Sequence, residues 1–207
     1  MRVLKIDRRR VSVRALRRAA AVIAAGGVVV FPTETAYGLA ADPTNAIAVR
    51  RIFAIKGRRA DKQLPLIAGS LAQARGLVNL SGKPLELAKK YWPGPLTIVA
   101  WLRPGKRIVG VRGSRPTAAI RVPALAWARA LADGFGAPIT STSANLSGRP
   151  AVYGPAGIRR SFAGRQHQPD LFLDAGRLPF RRPSTVIKIE KGKVRVMRPG
   201  SVKFSDH

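Results

Sequence analysis

The sequence predicts a single α/β domain with a twisted, mixed parallel and antiparallel sheet and flanking helices. The chain has 207 residues and is 46% hydrophobic, which is enough for one core of ordinary size. Short β-forming runs alternate with segments of helical periodicity, a pattern typical of α/β folds. Two alternating runs around Gly192 predict an antiparallel hairpin near the C-terminus. We therefore interpret residues 1–207 as one domain with its core at about 12–200.

Segments with apolar residues at helical spacing are expected to form helices. The first begins after Ser12, a good N-cap, and ends at Gly26 and Gly27. Its arginines, among them Arg14 and Arg17, are interpreted as the solvated side of the helix. Further helices are predicted at residues 42–57, 71–77, 83–92, 123–133 and 155–162.

Runs of β-forming residues predict the strands. Residues 28–31 are four consecutive β-formers that stop at Pro32, and a polar loop is expected from Thr33 to Leu39. That loop is either an ordinary strand-to-helix connection or part of a site, because sites concentrate in loops. A mobile basic loop is expected at residues 103–116. Other strands are predicted at residues 1–7, 64–68, 96–102, 118–122, 138–140, 171–173, 184–190 and 193–198.

The stretch PITSTSANLSG, residues 138–148, organises the functional interpretation. Between Thr140 and Ser147 it concentrates hydroxyl and amide side chains, which are costly to bury without partners. It therefore predicts a strand end that opens into a polar, ligand-binding loop, as α/β proteins use at strand ends. Lys56 and Arg58 are the best sources of positive charge for an anion held there, although basic residues at a helix end also complement the helix dipole.

Composition excludes several classes of site. The chain has no cysteine and only two histidines, His167 and His207, which argues against thiolate metal sites, histidine clusters and Ser–His–Asp triads. No apolar run approaches the ~20 residues of a membrane helix, and no signal-peptide segment follows the basic N-terminus. We expect a cytoplasmic protein with no membrane association and no protein-bound metal.

The charge is strongly positive, with 38 Lys and Arg against 10 Asp and Glu and a formal net charge of +28. Such a field attracts nucleotides, RNA or acidic surfaces. Two interpretations stay open at this point: a general compositional bias combined with an anionic ligand, or a true polyanion-binding face. From spacing alone the chain is an anion-binding α/β protein that handles phosphate with cations and hydroxyls rather than with a histidine base.

Six sequence blocks in this order resemble the threonylcarbamoyl-AMP synthase family (TsaC/YrdC-like) in its single-domain form. The resemblance covers about residues 12–200 and is specific because all six blocks occur together. The blocks are FPTETAYGL (31–39), KGR with DK and PL (56–66), WPGPLT (92–97), RVP (121–123), STSANLSG (141–148) and RPG (198–200).

The resemblance implies a deep, positively charged cavity and a nucleotidyltransferase activity. The family makes L-threonylcarbamoyladenylate from L-threonine, bicarbonate or CO2, and ATP, with release of pyrophosphate. Mg²⁺ accompanies ATP, and transferase partner proteins pass the threonylcarbamoyl group to adenosine 37 of tRNAs reading codons that start with A. Direct tRNA binding by the basic surface is a further expectation, and a non-catalytic basic RNA-binding module of the same fold is the alternative.

The resemblance also implies the site residues. The family's Lys/Arg and Ser/Asn signature falls on Lys56, Arg58, Ser143 and Asn145, which are the expected catalytic residues. An arginine suits the carboxylate of an amino acid because its planar fork binds both oxygens. ATP contacts are expected from Lys56, Arg58, Thr117, Ser141, Ser143 and Arg198, and threonine contacts from Thr33, Arg121 and Ser184.

Overall fold

The computed structural model describes residues 1–58, 63–110 and 116–204. Asp61 and Lys62 of the second block, residues 111–115 of the predicted basic loop, and His207 lie outside the described residues. The strands are β1 (Arg2–Lys5), β2 (Val29–Pro32), β3 (Tyr37–Ala40), β4 (Leu66–Ile67), β5 (Leu96–Trp101), β6 (Thr117–Arg121), β7 (Ile139–Thr140), β8 (Thr142–Ser143), β9 (Leu171–Asp174), β10 (Thr185–Glu190) and β11 (Lys193–Arg198).

The helices lie close to their predicted positions. Ser12 caps the first helix as predicted, with its side chain accepting a hydrogen bond from the Ala15 N–H. None of the helices in the described part of the chain combines the length and apolar character needed to span a bilayer. The helices are α1 (Val13–Ala24), α2 (Ala46–Lys56), α3 (Leu71–Leu77), α4 (Lys83–Tyr91), α5 (Ala126–Phe135) and α6 (Pro155–Phe162).

Two predictions about the first third of the chain were wrong in detail. The segment after β2 is not a loop throughout, because residues 37–40 form β3, which pairs antiparallel with β2. The second helix begins at Ala46 rather than near Asp42, since the Asn45 side chain accepts hydrogen bonds from the Ile47 and Ala48 N–H groups. The Asp42 carboxylate is occupied by the Thr44 N–H and hydroxyl in a preceding turn.

The strands form two mixed sheets, which confirms the predicted fold class while dividing the expected sheet in two. The first sheet has the order β1-β9-β2-β3-β8, and the second has the order β11-β10-β5-β6-β4-β7. The chain crosses from the second sheet to the first at Ser141, between β7 and β8. The Ser141 N–H donates to the Pro65 carbonyl at 2.8 Å. The stretch that dominates the sequence therefore joins the two sheets.

Alternation along β2 buries both faces of the first sheet. Val30 packs with α2 and α6, whereas Val29 and Phe31 face the layer that contains α1 and α5. This is the two-residue period of a strand covered on both sides. A third cluster fills the second sheet against α3 and α4. These hydrophobic clusters therefore fix the position of the two sheets relative to each other.

Tyr37 connects β3 to the end of β9 from a fully buried position. Its hydroxyl donates to the Gly176 carbonyl at 2.7 Å and accepts from the Ala175 N–H at 3.0 Å. Burial raises the pKa of Tyr37 to about 12, so the phenol stays neutral at physiological pH. The ring also packs edge-on against Phe172 at 5.3 Å between centroids.

We expect Tyr37→Phe to lower the free energy of unfolding by about 1–3 kcal/mol, because two partly buried backbone groups lose their partner. Tyr91→Phe is the matched control, since the Tyr91 hydroxyl bonds to no residue that the structure describes, and it should change stability by less than about 0.5 kcal/mol. Denaturant midpoints at constant slope measure both values. Equal shifts in the two variants would contradict the assigned role of the Tyr37 hydroxyl.

Candidate active site

A cavity of about 550 Å³ between the two sheets brings most of the predicted site residues together. This volume lies in the range of small-molecule sites. Thr117, the first residue of β6, is not among the lining residues, and its carbonyl accepts a hydrogen bond from the Gln63 side chain at 2.5 Å. The predicted residues that line the cavity are Thr33, Lys56, Arg58, Arg121, Ser141, Ser143, Asn145, Ser184 and Arg198.

Lys56 is buried and fixes the loop that follows β8. Its Nζ donates to the Ser143 carbonyl at 2.6 Å, to the Asn145 carbonyl at 3.0 Å and to Asn145 Oδ1 at 3.3 Å. Burial, assisted by the nearby charge of Arg58, lowers the pKa of Lys56 to about 8. The lysine therefore shapes the loop with its three donors while its charge stands at the cavity wall.

The end of α2 directs the side chains of Lys56 and Arg58 to different surroundings. Gly57 caps α2 with φ 60, in the left-handed region that glycine enters most easily. Its N–H and that of Arg58 close the last turn on Ala54 and Phe53. Lys56 consequently points into the protein, whereas the half-buried Arg58 lines the cavity with a guanidinium that bonds to no described residue.

Asn145 completes the loop from inside. Its Oδ1 accepts from the Ser143 hydroxyl, and its Nδ2 donates to the Arg149 carbonyl. Ser143 is exposed to the cavity while Asn145 is 7% exposed. The loop therefore presents hydroxyls from a backbone that is held by buried polar contacts.

Arg121 and Glu34 form a buried ion pair at another wall of the cavity. The guanidinium NH1 donates to Glu34 Oε1, and the two side chains are 7% and 11% exposed. Burial lowers the pKa of Arg121, and the Glu34 charge opposes that shift. Glu34 Oε2 is a buried oxygen with no hydrogen-bond partner among the described residues. Arg121 is thus held from one side and keeps further N–H groups for a ligand in the cavity.

Thr97, Ser184 and Arg198 form a chain of contacts across the second sheet. The Thr97 and Ser184 hydroxyls are 2.8 Å apart, and Arg198 NH2 donates to the Ser184 carbonyl and hydroxyl at 2.7 and 3.0 Å. Gly200 permits this approach, because a Cβ there would lie 2.4 Å from the Pro183 carbonyl oxygen. Burial lowers the pKa of Arg198, and the charge of Arg121 adds to the shift.

Thr33 has a structural part in its own loop. Its hydroxyl donates to the Ala36 carbonyl at 2.6 Å and accepts from the Thr35 and Ala36 N–H groups at 3.2 Å. It also lies 3.0 Å from the Thr35 hydroxyl. These contacts fill the capacity of one hydroxyl. Contact of Thr33 with a ligand stays a prediction, and Thr35 adds a second hydroxyl to the same wall.

The charged side chains that line the cavity are all basic among the described residues. Five basic side chains and no carboxylate line it there: Lys56, Arg58, Arg121, Arg181 and Arg198. Nor does any group of three or more acidic, histidine or cysteine residues within residues 1–58, 63–110 and 116–204 form a metal site. The arrangement suits a polyanion, and the predicted positive potential stays a prediction that this lining supports.

Sequence reasoning did not assign several lining residues. Thr35 and Thr97 lie within two of the six sequence blocks, and this position is the sequence signal that could have assigned them to the site. Tyr153 and Arg181 belong to no block. Glu34 lies within the first block, but its pairing with Arg121 spans 87 positions and could not be inferred from local spacing.

Comparison with known proteins agrees with this geometry. The sequence profile of the Sua5/YciO/YrdC family, described as "Telomere recombination", matches residues 21–200. The chain belongs to the Sua5/YciO/YrdC family. A protein named threonylcarbamoyl-AMP synthase from Thiobacillus denitrificans is 40% identical over 173 residues, which covers 82% of this chain and 88% of the relative.

Solved structures of the Sua5/YciO/YrdC family share the fold. The crystal structure of Pyrococcus abyssi Sua5 complexed with L-threonine has a TM-score of 0.85 and 34% identity, over 97% of this chain and 58% of that chain. The chain therefore spans little more than half of that longer relative. Escherichia coli YciO has a TM-score of 0.82 and 26% identity, over 96% of this chain and 94% of that chain.

For this family member we expect Glu34→Gln to lower the free energy of unfolding by about 3 kcal/mol, because the buried Arg121 charge loses its compensation. Glu190→Gln is the control, since Glu190 pairs with Lys188 and Arg195 at the surface of the hairpin, and exposed pairs contribute little. Thermal and denaturant unfolding measure both variants. A Glu34→Gln protein as stable as the wild type would contradict the inferred compensation.

The affinity for an anion should fall as pH rises through about 8, where Lys56 loses its proton. Sulfate is the probe, because its charge is constant between pH 7 and 9.5. A loss of about tenfold, or roughly 1.4 kcal/mol, is expected because one positive charge at the cavity wall disappears. Lys56→Met is neutral at every pH and should bind weakly with no inflection. An inflection that persists in Lys56→Met would assign the titration to another group.

Proposed function

We propose that this protein synthesises L-threonylcarbamoyladenylate from L-threonine, bicarbonate or CO2, and ATP, with release of pyrophosphate. The observation that carries the proposal is the single cavity on which Lys56, Arg58, Ser143, Arg121 and Arg198 converge. The names of the bacterial and archaeal relatives support it, as does the threonine complex of Pyrococcus abyssi Sua5.

The triphosphate is assigned to the wall formed by the end of α2 and the loop after β8. Arg58 and Arg198 supply guanidinium donors, and Lys56 adds a charge from behind the loop. The hydroxyls of Ser141 and Ser143 reach phosphate oxygens. Lys56 and Asn145 already hold the loop backbone through the Asn145 and Arg149 carbonyls, so both hydroxyls are in place before ATP binds. The Ser143 proton, donated to Asn145 Oδ1 in the structure, would turn toward a phosphate oxygen.

Threonine is assigned to the wall that contains the Arg121–Glu34 pair. Arg121 binds the carboxylate through its remaining N–H groups, and Glu34 keeps the guanidinium in position. The hydroxyls of Thr35, Ser184 and Thr97 stand at the same cavity for the threonine hydroxyl and the carbamate, and Thr33 holds the loop that carries Thr35. Arg198 touches Ser184 directly, so the amino-acid and phosphate regions adjoin.

The chemical step follows from this juxtaposition. A carbamate oxygen of N-carboxylated threonine attacks the α-phosphorus of ATP, a new P–O bond forms, and the bond to the β-phosphate oxygen breaks. The electron pair leaves with pyrophosphate, whose charge the arginines neutralise. Each residue here binds, orients or neutralises, which matches a lining without a carboxylate or histidine in its described part.

Mg²⁺ is proposed to enter as part of the MgATP substrate. Magnesium commonly keeps several water ligands and binds through substrate phosphates. The described lining offers hydroxyls and an amide rather than carboxylates, so the phosphates would provide the ion's main contacts. Metal coordinated by ATP also lowers the charge that the arginines must neutralise.

We further propose that the product passes to threonylcarbamoyl transferase partner proteins acting on adenosine 37 of tRNA, in the cytoplasm. Because an acyl adenylate is labile, a second reaction must consume it soon after its release. A non-catalytic RNA-binding module of the same fold is the second candidate, and the charge of +28 favours it. That candidate requires the cavity residues to matter no more than other basic residues.

Purified protein with threonine, bicarbonate and MgATP should release pyrophosphate only when threonine is present. Arg58→Ala should reduce this release by about 10²-fold or more, the usual effect of losing one preorganised donor. Arg17→Ala, on the exposed side of α1, is the matched control and should leave it unchanged. Threonine-independent release, or equal effects of the two substitutions in folded protein, would reject the synthase assignment.

A further inference from the structure

The floor of the cavity contains one row of residues that crosses five strands of the second sheet. The pairings of β4 with β6, of β5 with β10 and of β10 with β11 align its members, and the register of β5 and β6, continued by one residue beyond Ile98 and Ile120, joins them. All of these side chains line the cavity, and their order across the sheet is Ile67, Arg121, Thr97, Val186 and Arg198. Thr97 therefore lies between the arginine assigned to the amino-acid carboxylate and an arginine assigned to phosphate.

The Thr97 hydroxyl is buried and has one polar contact among the described residues. Thr97 is 3% exposed, and its Oγ1 lies 2.8 Å from Ser184 Oγ. Arg198 NH2 donates to the same Ser184 oxygen at 3.0 Å. Because a cationic donor polarises the hydroxyl that accepts from it, the favoured chain of donors runs from Arg198 through Ser184 to Thr97. The Thr97 proton is then left for an acceptor in the cavity.

Thr185 shows the contrasting arrangement of a hydroxyl that serves only the fold. This residue follows Ser184 directly, is 1% exposed, and is absent from the lining of the cavity as far as the structure describes it. Its hydroxyl donates to the Val202 carbonyl at 2.7 Å and accepts from the Val202 N–H at 2.9 Å. The Thr185 proton is thus used within the chain, whereas the Thr97 proton is available to a ligand.

The position of Thr97 in the row selects the group that it binds. A carbamate formed on the nitrogen of an amino acid lies beside the carboxylate that Arg121 holds. One carbamate oxygen attacks phosphorus on the side of Arg198, and the other oxygen shares the negative charge and requires its own donor. Donors fixed in advance at such a charge are the most effective ones. Thr97 stands between the two arginines, and the side chains of Ile67 and Val186 in the same row have no polar atom.

We propose that the Thr97 hydroxyl binds the carbamate of N-carboxylated threonine, with Ser184 and Arg198 as its positioning residues. This inference rests on the proposed function and adds the residue that receives the carbon of bicarbonate or CO2. The threonine amine attacks the carbon of CO2, an N–C bond forms, and a proton of the amine passes to water. A hydrogen bond to the carbamate oxygen that does not attack phosphorus then opposes the return to amine and CO2.

Thr97→Val removes the hydroxyl and keeps the branched shape, and Thr185→Val is the matched control. Pyrophosphate release is measured in buffer depleted of CO2 while bicarbonate, threonine and ATP are varied in turn. Thr97→Val should raise the KM for bicarbonate about tenfold or more, the effect of one hydrogen bond to a charged group, and change the KM for ATP by less than about threefold. Thr97→Ser should restore the KM for bicarbonate. Thr185→Val should lower stability and leave this KM unchanged.

Threonine affinity, measured by calorimetry, tests the inference without turnover. With a non-hydrolysable ATP analogue present, bicarbonate should tighten threonine binding by about tenfold in the wild type and in Thr185→Val, and by less than about threefold in Thr97→Val. A wild type that shows this tightening and yet releases no pyrophosphate would reject the proposed function and leave the assignment of Thr97 standing.

Four outcomes would overturn the assignment itself. They are an unchanged dependence on bicarbonate in folded Thr97→Val, an equal change in Thr185→Val, no rescue by Thr97→Ser, and a wild type whose threonine affinity does not respond to bicarbonate. Thermal melts establish that each variant is folded before its affinity and KM values are compared.

Discussion

The buried ammonium of Lys56 is the contact on which the candidate site depends. It stands at the end of α2, in the layer of the first sheet, and binds two carbonyls and an amide oxygen of β8 and the loop that follows it. A buried charge is stable only when its donors are satisfied, so the lysine and the loop fix each other. The hydroxyls on the outer side of that loop are positioned as a result.

Two arginines at the cavity are likewise fixed by contacts within the protein. Glu34 holds the buried Arg121, and Ser184 holds the exposed Arg198, so each of these two arginines has an internal contact and keeps donors for a ligand. Side chains fixed in this way lose little further conformational freedom on binding. These polar contacts therefore hold the charged side chains in position to bind an anion, which packing in a hydrophobic core could not do.

Local signals predicted most of the fold, and long-range pairing limited the rest. The cap at Ser12 and the extent of α3 were predictable because they depend on neighbouring residues. β3 was missed, since Gly38 and the threonines before it favour a loop and only pairing with β2 makes a strand. For the site, the sequence blocks correctly predicted that Lys56 and Ser143 lie at one cavity. The Arg121–Glu34 pair could not be predicted from spacing.

The cations of the cavity also act on one another. Burial is the larger cause of the lowered pKa values of Lys56 and Arg198, and repulsion adds to it, from Arg58 on Lys56 and from Arg121 on Arg198. A bound polyphosphate removes that repulsion and raises both pKa values by linkage. Because a ligand that binds only the folded chain stabilises it, occupancy of the cavity and stability of the junction between the sheets must rise together. The arginines that would neutralise a leaving pyrophosphate are therefore the groups whose repulsion a bound triphosphate relieves.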